Sequence, residues 1–366
     1  MKLKSYTIVV GLLVGWTASA TTVGQPYLTW QFGATAGAVS QVSIATLRAN
    51  WIVTGVRNGA GNLQVIVWKS TGSAFVRKGT ASAGAISSVA TAGVTTGRFV
   101  TAVINGSGNM ELISWSVDSS GVVAREGDYA AEAAQTVDIV RLSSSRVATA
   151  IRDGNGNLTI DVWGVDSTGA ITTQGSVTDV PVSKAAIAAM GGTQLVAAVQ
   201  TSFGGLLLTS WAVSSNGSIT YQNVASAGAI SQVDVTPWAD SGHLATAVRN
   251  GSGNLETIDW IVDPNTGSFT RQASFTVGAA SKVAVSTNGT LIFTAVKDSA
   301  GNLDVGLWEY DGNNNFSEGA HLEYDSASIV AAAPLTTDDY DGYTVTATRN
   351  GSGNLELNVF LLRYTT

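Results

Sequence analysis

The chain has 366 residues, no Cys, 41 Gly, only 5 Pro, 12% charged residues and a net charge of −7. The absence of Cys excludes a disulfide framework, a thiolate metal cage and a thiol nucleophile. The acidic balance, 26 Asp and Glu against 19 Lys and Arg, argues against nucleic acid as a partner, because phosphate-backbone binding needs a basic surface. Low charge with 45% hydrophobic residues argues against disorder and supplies the core of one large all-β domain. The excess of Gly over Pro, beside abundant Val, Ile, Thr and Ser, reads as many strands joined by tight turns.

Residues 1–20 form a separate segment. Lys2 and Lys4 precede an apolar stretch from Tyr6 to Trp16, and Ala18-Ser19-Ala20 offers small residues for cleavage. This pattern is a secretory signal peptide, with Thr21 as the mature start. The apolar run is too short to serve as a membrane anchor, and membrane insertion is not expected. Removing the segment leaves 17 basic and 26 acidic side chains, a net charge of −9. An exported chain without Cys suggests a bacterial cell.

The remainder repeats itself. The string Arg57-Asn58-Gly59-Ala60-Gly61-Asn62-Leu63 returns from Ile104, Arg152, Arg249, Lys297 and Arg349, with a degenerate copy from Gln200. The starts lie 47 to 52 residues apart. Each copy follows an alternating apolar segment such as Val147 to Ile151. Five residues after the motif's Leu (or Met110) stand Trp68, Trp115, Trp163, Trp211, Trp260 and Trp308, with Phe360 in the seventh copy.

Four strands are expected per unit. The first is an inner strand of small residues (Ile86 to Val94, Lys184 to Met190, Ile329 to Ala333). The second ends at the basic position, the third runs from the Asn-Leu pair through the Trp, and an outer strand resembles Ala74 to Gly79. Four strands in roughly 48 residues is the size of a β-propeller blade. Tyr27 to Gly33 matches the outer strand but precedes the first unit, and the chain stops just after its last third strand. The expected fold over residues 21–366 is therefore a single seven-bladed β-propeller of four-stranded blades. Its N-terminal strand would complete the C-terminal blade and leave no unpaired edge.

Alternating strand directions place the Arg-Asn-Gly turn and the link between units on one rim. The link carries its own string: Ala36 to Ser40, Ala83 to Ser87, Ala227 to Ser231 and, more loosely, Val277 to Ser281. Gly and Asn are what a tight turn requires. A hairpin does not need Arg57, Arg152, Arg249, Arg349 or Lys297, and five basic residues at one register is a concentration in so weakly charged a chain. Such donors suit sugar hydroxyls, carboxylates or phosphates; pairing with a neighbouring acid is the alternative. The Trp register reads either as packing between units or as a platform for a sugar ring. Six strand residues at about 3.3 Å each separate Trp68 from the rim by roughly 20 Å. The pockets therefore lie at the rim, at the Trp end, or are of two kinds.

Other chemistry is sparse. His243 and His321 occupy non-equivalent positions and read as solvated loop residues. Asp153-Gly154-Asn155-Gly156-Asn157 lacks the twelfth-position acid of a calcium loop, so no metal site or cofactor is expected. The run Asp338-Asp339-Tyr340-Asp341 reads as a solvated loop. Acids are scattered, without the paired carboxylates of a glycosidase at one unique pocket, so an enzyme is not expected.

Arg-Asn-Gly-Ser-Gly-Asn-Leu followed by Trp, alternating with Ala-Gly-Ala-Ile-Ser, resembles the bacterial PLL-type seven-bladed propeller lectins over Tyr27 to Thr366. The resemblance implies a secreted lectin that binds fucose or related sugars on glycans in pockets between adjacent blades, often as a homo-oligomer. Carried over by register, it implicates Arg57, Arg249 and Arg349 with Ser40, Ser87 and Ser231. Asn58, Asn250 and Asn350 share these turns, and the Trp register remains a stacking surface. Ile104 and Gln200 depart from the basic position and Asp179 to Ser183 from the link, which implies fewer than seven sites. Units one and five are intact at both registers. The alternatives are a propeller scaffold for protein partners and, less favoured, a secreted glycosidase.

Overall fold

The computed structural model describes residues 25–238, 242–288, 291–310, 316–337 and 342–365. The expected signal peptide and the acidic run from Asp338 to Asp341 lie outside the described residues. Seven long strands organise the chain: β1 (Pro26–Arg48), β4 (Phe75–Thr95), β7 (Val123–Ser143), β10 (Ile171–Ala189), β13 (Ile219–Trp238), β16 (Phe269–Asn288) and β19 (Phe316–Pro334). A pair of short strands follows each. The pairs are β2 and β3 (Trp51–Asn58, Asn62–Ser70), β5 and β6 (Arg98–Asn105, Asn109–Val117), and β8 and β9 (Arg146–Asp153, Asn157–Val165). They continue with β11 and β12 (Gln194–Thr201, Gly205–Val213), β14 and β15 (His243–Asn250, Asn254–Val262), β17 and β18 (Leu291–Asp298, Asn302–Tyr310), and β20 and β21 (Tyr343–Asn350, Asn354–Tyr364).

This corrects the expected seven separate four-stranded blades. The described residues form 21 strands, three per repeat, joined through the continuous long strands into one antiparallel ring whose ladders fall into seven sets of four strand segments. The segments read as an outer strand and the next inner strand are a single continuous strand. In β4, residues 75–85 pair with β3 and residues 86–95 pair with β5. The physical reason lies in the link string. Gly37, Gly84, Gly228 and Gly278 sit inside strands, and none has the positive φ that would turn the chain. Ala-Gly-Ala-Ile-Ser is therefore an extended crossing between partners, not a loop.

The turn motif does reverse the chain. Its second glycine holds φ between 81° and 93° in all seven copies, from Gly61 to Gly353, a region where a Cβ is penalised. The Asn58 side chain supports the turn by accepting from the N–H of Ala60 at 3.0 Å and of Asn62 at 3.1 Å. Asn250 and Asn350 do the same in their turns. The ring closes where β1 pairs with β21, from Pro26 opposite Tyr364 to Ala38 opposite Asn354.

Apolar packing lies between neighbouring repeats. Leu63, Val65 and Val67 of β3 meet Val103, Ile113 and Trp115 of the next repeat. The six tryptophans are at most 3% exposed. Five of them, Trp68, Trp115, Trp163, Trp260 and Trp308, donate their indole N–H to a Thr on the preceding strand at 2.9 to 3.1 Å. In the last repeat Phe360 replaces the Trp, and the matching Thr346 hydroxyl is buried without a partner. Thr346→Val is expected to raise stability by about 1 kcal/mol, because it removes an unsatisfied group at nearly constant volume. Thr54→Val is expected to lower it by about 1–3 kcal/mol, because it strands the Trp68 indole. Thermal unfolding of both variants checks this opposition of sign.

Candidate functional site

The sheet brings the two recurring strings together, as their shared rim requires. The Cβ of Ala85 lies 3.3 Å from where a Cβ on Gly106 would sit, and Ala38 and Gly59 repeat this spacing. Ala229 and Gly251 do so at 3.2 Å. The turn's first glycine is thus needed for close approach to the long strand.

The recurring arginines lie within this rim and are occupied there. Arg57 donates from Nε to the Ile86 carbonyl at 2.6 Å and from Nη1 to Ser40 Oγ at 2.8 Å. Arg249 treats Ala280 and Ser231 in the same way, at 2.6 and 2.8 Å. Arg349 reaches the Val39 carbonyl across the ring closure at 2.8 Å, and Ser328 at 3.1 Å. Arg152 donates to the Val182 carbonyl at 2.6 Å, and Gln200 performs the same task on Ile230 at 2.6 Å. Of the arginines and serines implicated from the sequence, Arg57 with Ser40 and Arg249 with Ser231 are therefore together, but as staples between consecutive long strands, while Arg349 meets Ser328 instead. Lys297 keeps the register, its Cε lying over Gly301. Ser87 donates to the Ile104 carbonyl at a long 3.5 Å.

The tryptophan platform does not stand. Trp68, Trp115, Trp163, Trp211, Trp260 and Trp308 are sealed in the packing between repeats, so they present no ring face to a ligand. Exposed aromatics lie instead on the outer halves of the long strands, including Trp30 at 44% and Tyr221 at 52%. His243 is also not a solvated loop residue. It opens β14 with Nδ1 2.9 Å from the buried Asp259 carboxylate and packs edge-on against Trp238.

A rim cavity of about 250 Å³ opens at the first junction, between Ala83 to Ile86 of β4 and Asn105, Gly106 and Ser107 of the next turn. Val103 and Ile113 form its apolar wall, and Glu111 adds a carboxylate. This is the repeat with Ile104 in place of the basic residue, so an open cavity does not depend on an arginine. Glu111 marks a register that the reading of scattered acids missed. It stands one residue beyond the motif's apolar position, where other repeats carry Glu256, Asp304 and Glu356, with Gln64 in the first. Aligning the copies one residue further exposes the signal. Glu111 lies 3.1 Å from Arg125, and Glu256 lies 2.7 Å from Arg271.

A second cavity, about 440 Å³, occupies the axis of the ring and is lined by the inner halves of all seven long strands. Asp138 and Asp234 face it, as does Lys282. Each carboxylate binds across to the next long strand, accepting from the N–H of Ile187 at 2.9 Å and of Val285 at 2.8 Å. Burial pushes Asp138 up to about 6. Burial, and then the charge of Asp138, pushes Asp234 up to about 7. Both side chains keep partial accessible surface toward the axial cavity while lying deep within the ring.

No family model matches the chain, and no curated protein matches it. The crystal structure of a protein from Lactobacillus plantarum is similar in fold, with a TM-score of 0.57 at 11% identity. It covers 87% of this chain and all of its own. That similarity shows the fold alone.

Proposed function

We propose that this chain is a secreted, non-enzymatic, multivalent carbohydrate-binding protein whose sites are the rim cavities between consecutive repeats. Kinship with the PLL-type lectins belongs to this proposal and rests on the turn and link motifs. The supporting observation is the cavity beside Glu111. At about 250 Å³ it is just below the usual range of drug-sized ligand pockets, a size that suits a monosaccharide. The Glu111 carboxylate accepts hydrogen bonds from sugar hydroxyls, while Asn105 and Ser107 add polar groups that donate and accept. Ala83 and Ala85, which keep surface toward the cavity, offer apolar contacts for a deoxy-sugar methyl, which favours fucose and related sugars.

Repetition around the ring compensates for weak single sites on a glycan-covered surface through effective concentration. Titration calorimetry with free L-fucose is expected to give more than one site per chain. The double variant Glu111→Gln, Glu256→Gln is expected to lower that number while thermal unfolding stays near wild type. Failure to bind any glycan, with intact folding, contradicts the reading. A scaffold for protein partners is the second reading. It is favoured by Phe203, which is 99% exposed at the β11–β12 turn on the same rim.

A further inference from the structure

The register carrying the acids has an internal control. On the outer halves of the long strands, Arg125 pairs with Trp115 and Arg271 with Trp260, and in the last repeat Trp30 pairs with Phe360. These are equivalent positions. The two arginines neutralise Glu111 and Glu256, each through a guanidinium nitrogen within 3.1 Å. The last repeat keeps the carboxylate, as Glu356, but puts an indole where the guanidinium would be.

Among the described residues no Lys or Arg pairs with Glu356. Its carboxylate accepts from neutral amides, Asn350 Nδ2 at 3.0 Å and Asn358 Nδ2 at 3.2 Å. Trp30 donates its indole N–H to Asn358 Oδ1 at 2.9 Å, which fixes the ring beside this network while 44% of the residue stays exposed. Tyr324, from β19 of the preceding repeat, stacks on Trp30 with centroids 5.9 Å apart and planes 16° from parallel. At the corresponding place in the first junction stands Ala83, in the wall of the rim cavity. The seam therefore joins a carboxylate lacking a counter-cation to a nearly parallel aromatic pair of which Trp30 is exposed and Tyr324 half-buried.

We propose that the seam surface carrying Trp30, Tyr324 and Glu356 binds an organic cation, a guanidinium or alkylammonium group laid on the exposed indole with its charge toward the carboxylate. The protein's own arginines in the second and fifth repeats show that this carboxylate register pairs with a guanidinium. An aromatic face attracts a cation through its quadrupole, most strongly for Trp. The site is separate from the sugar reading and does not rest on it.

The test follows the indole N–H resonance of Trp30, assigned by its loss in Trp30→Phe, on titration with agmatine or with a capped Gly-Arg-Gly peptide. A saturable shift is expected with each probe. Tighter binding of the peptide assigns the cation to a polypeptide side chain, and tighter binding of agmatine to a free amine. Glu356→Gln is expected to weaken binding about tenfold, as loss of the charge beside a cation–aromatic contact implies. Trp30→Arg rebuilds the arrangement of the second and fifth repeats. It is expected to fold with an undiminished thermal midpoint and to bind neither probe by calorimetry. No shift with either probe, or an affinity unchanged in Glu356→Gln, overturns the proposal.

Discussion

A chain beginning at Ala36 is expected to lose its single cooperative unfolding transition and to self-associate. The missing residues are the outer half of β1, which pairs with β21 from Pro26 opposite Tyr364 to Thr35 opposite Glu356. Two of them, Leu28 and Phe32, are buried, and each contributes about 1.5–3 kcal/mol by burial. Their loss uncovers Phe360 and Leu362 and leaves β21 as a free edge, the template for pairing with another chain. Against a total stability of about 5–15 kcal/mol, loss of this packing with a whole ladder is a large fraction. Thermal unfolding with light scattering reads the effect, and residues 26–35 added as a peptide are expected to restore the transition. Retention of the wild-type midpoint without the peptide would show that closure contributes little.

Features that repeat are the ones legible in the sequence. The positive-φ glycines, the register of buried tryptophans and the shared rim all emerge from aligning seven copies, because each obeys the same local geometry. The odd outer segment at Tyr27 to Gly33 has its basis in the β1–β21 ladder. The expected strand count fails at the link, where Gly suggests a turn. Residues such as Gly84, with no positive φ, give no local signal that separates an extended crossing from a loop. The arginines mislead for a related reason. A basic residue at a strand end looks free in sequence, but its partners, the Ile86 carbonyl and Ser40, lie 29 and 17 residues away. Asp138 and Asp234 are invisible to self-comparison, because the equivalent positions hold Ser43, Ala90, Ala186, Ala284 and Ala331.

Those two aspartates carry the second large expectation: stability falls as pH rises from 5 to 8. Their pKa values in the folded protein, about 6 and about 7, exceed the ordinary 3.8. A group raised in this way supports the fold fully below its unfolded value and loses that support as pH rises through its folded value. Asp161, pushed up to about 6 chiefly by burial, acts in the same window. The exposed turn carboxylates Asp118, Asp166 and Asp263 are lowered by hydrogen bonds, so their effect falls below pH 4 with the opposite sign. A tenfold difference in proton affinity between folded and unfolded chains is worth about 1.4 kcal/mol, which makes the loss across this range on the order of a few kcal/mol. Asp138 and Asp234 face one cavity, and the charge of Asp138 raises Asp234 further. The double variant Asp138→Asn, Asp234→Asn is expected to flatten the dependence of thermal midpoint on pH, whatever its absolute stability. A wild-type midpoint that rises from pH 5 to 8, or a variant with the same slope, would contradict this assignment.

Two kinds of repetition meet at the rim. Turn glycines and stapling arginines hold consecutive long strands together. The acid register runs through Glu111, Glu256, Asp304 and Glu356, and Glu111 lines the rim cavity at the first junction. Stapling through Arg57 and Arg249 allows the groove floor to be rigid before a ligand arrives, which lowers the entropy lost on binding. The proposed lectin function therefore rests on where a sugar sits. A crystal of the protein soaked with L-fucose tests this most directly. Sugar density is expected between Ala83 to Ile86 and the Asn105–Ser107 turn, with a hydroxyl within hydrogen-bond distance of the Glu111 carboxylate, and similar density beside Glu256. Density at another surface, with the rim cavities empty of sugar at saturating concentration, would contradict it.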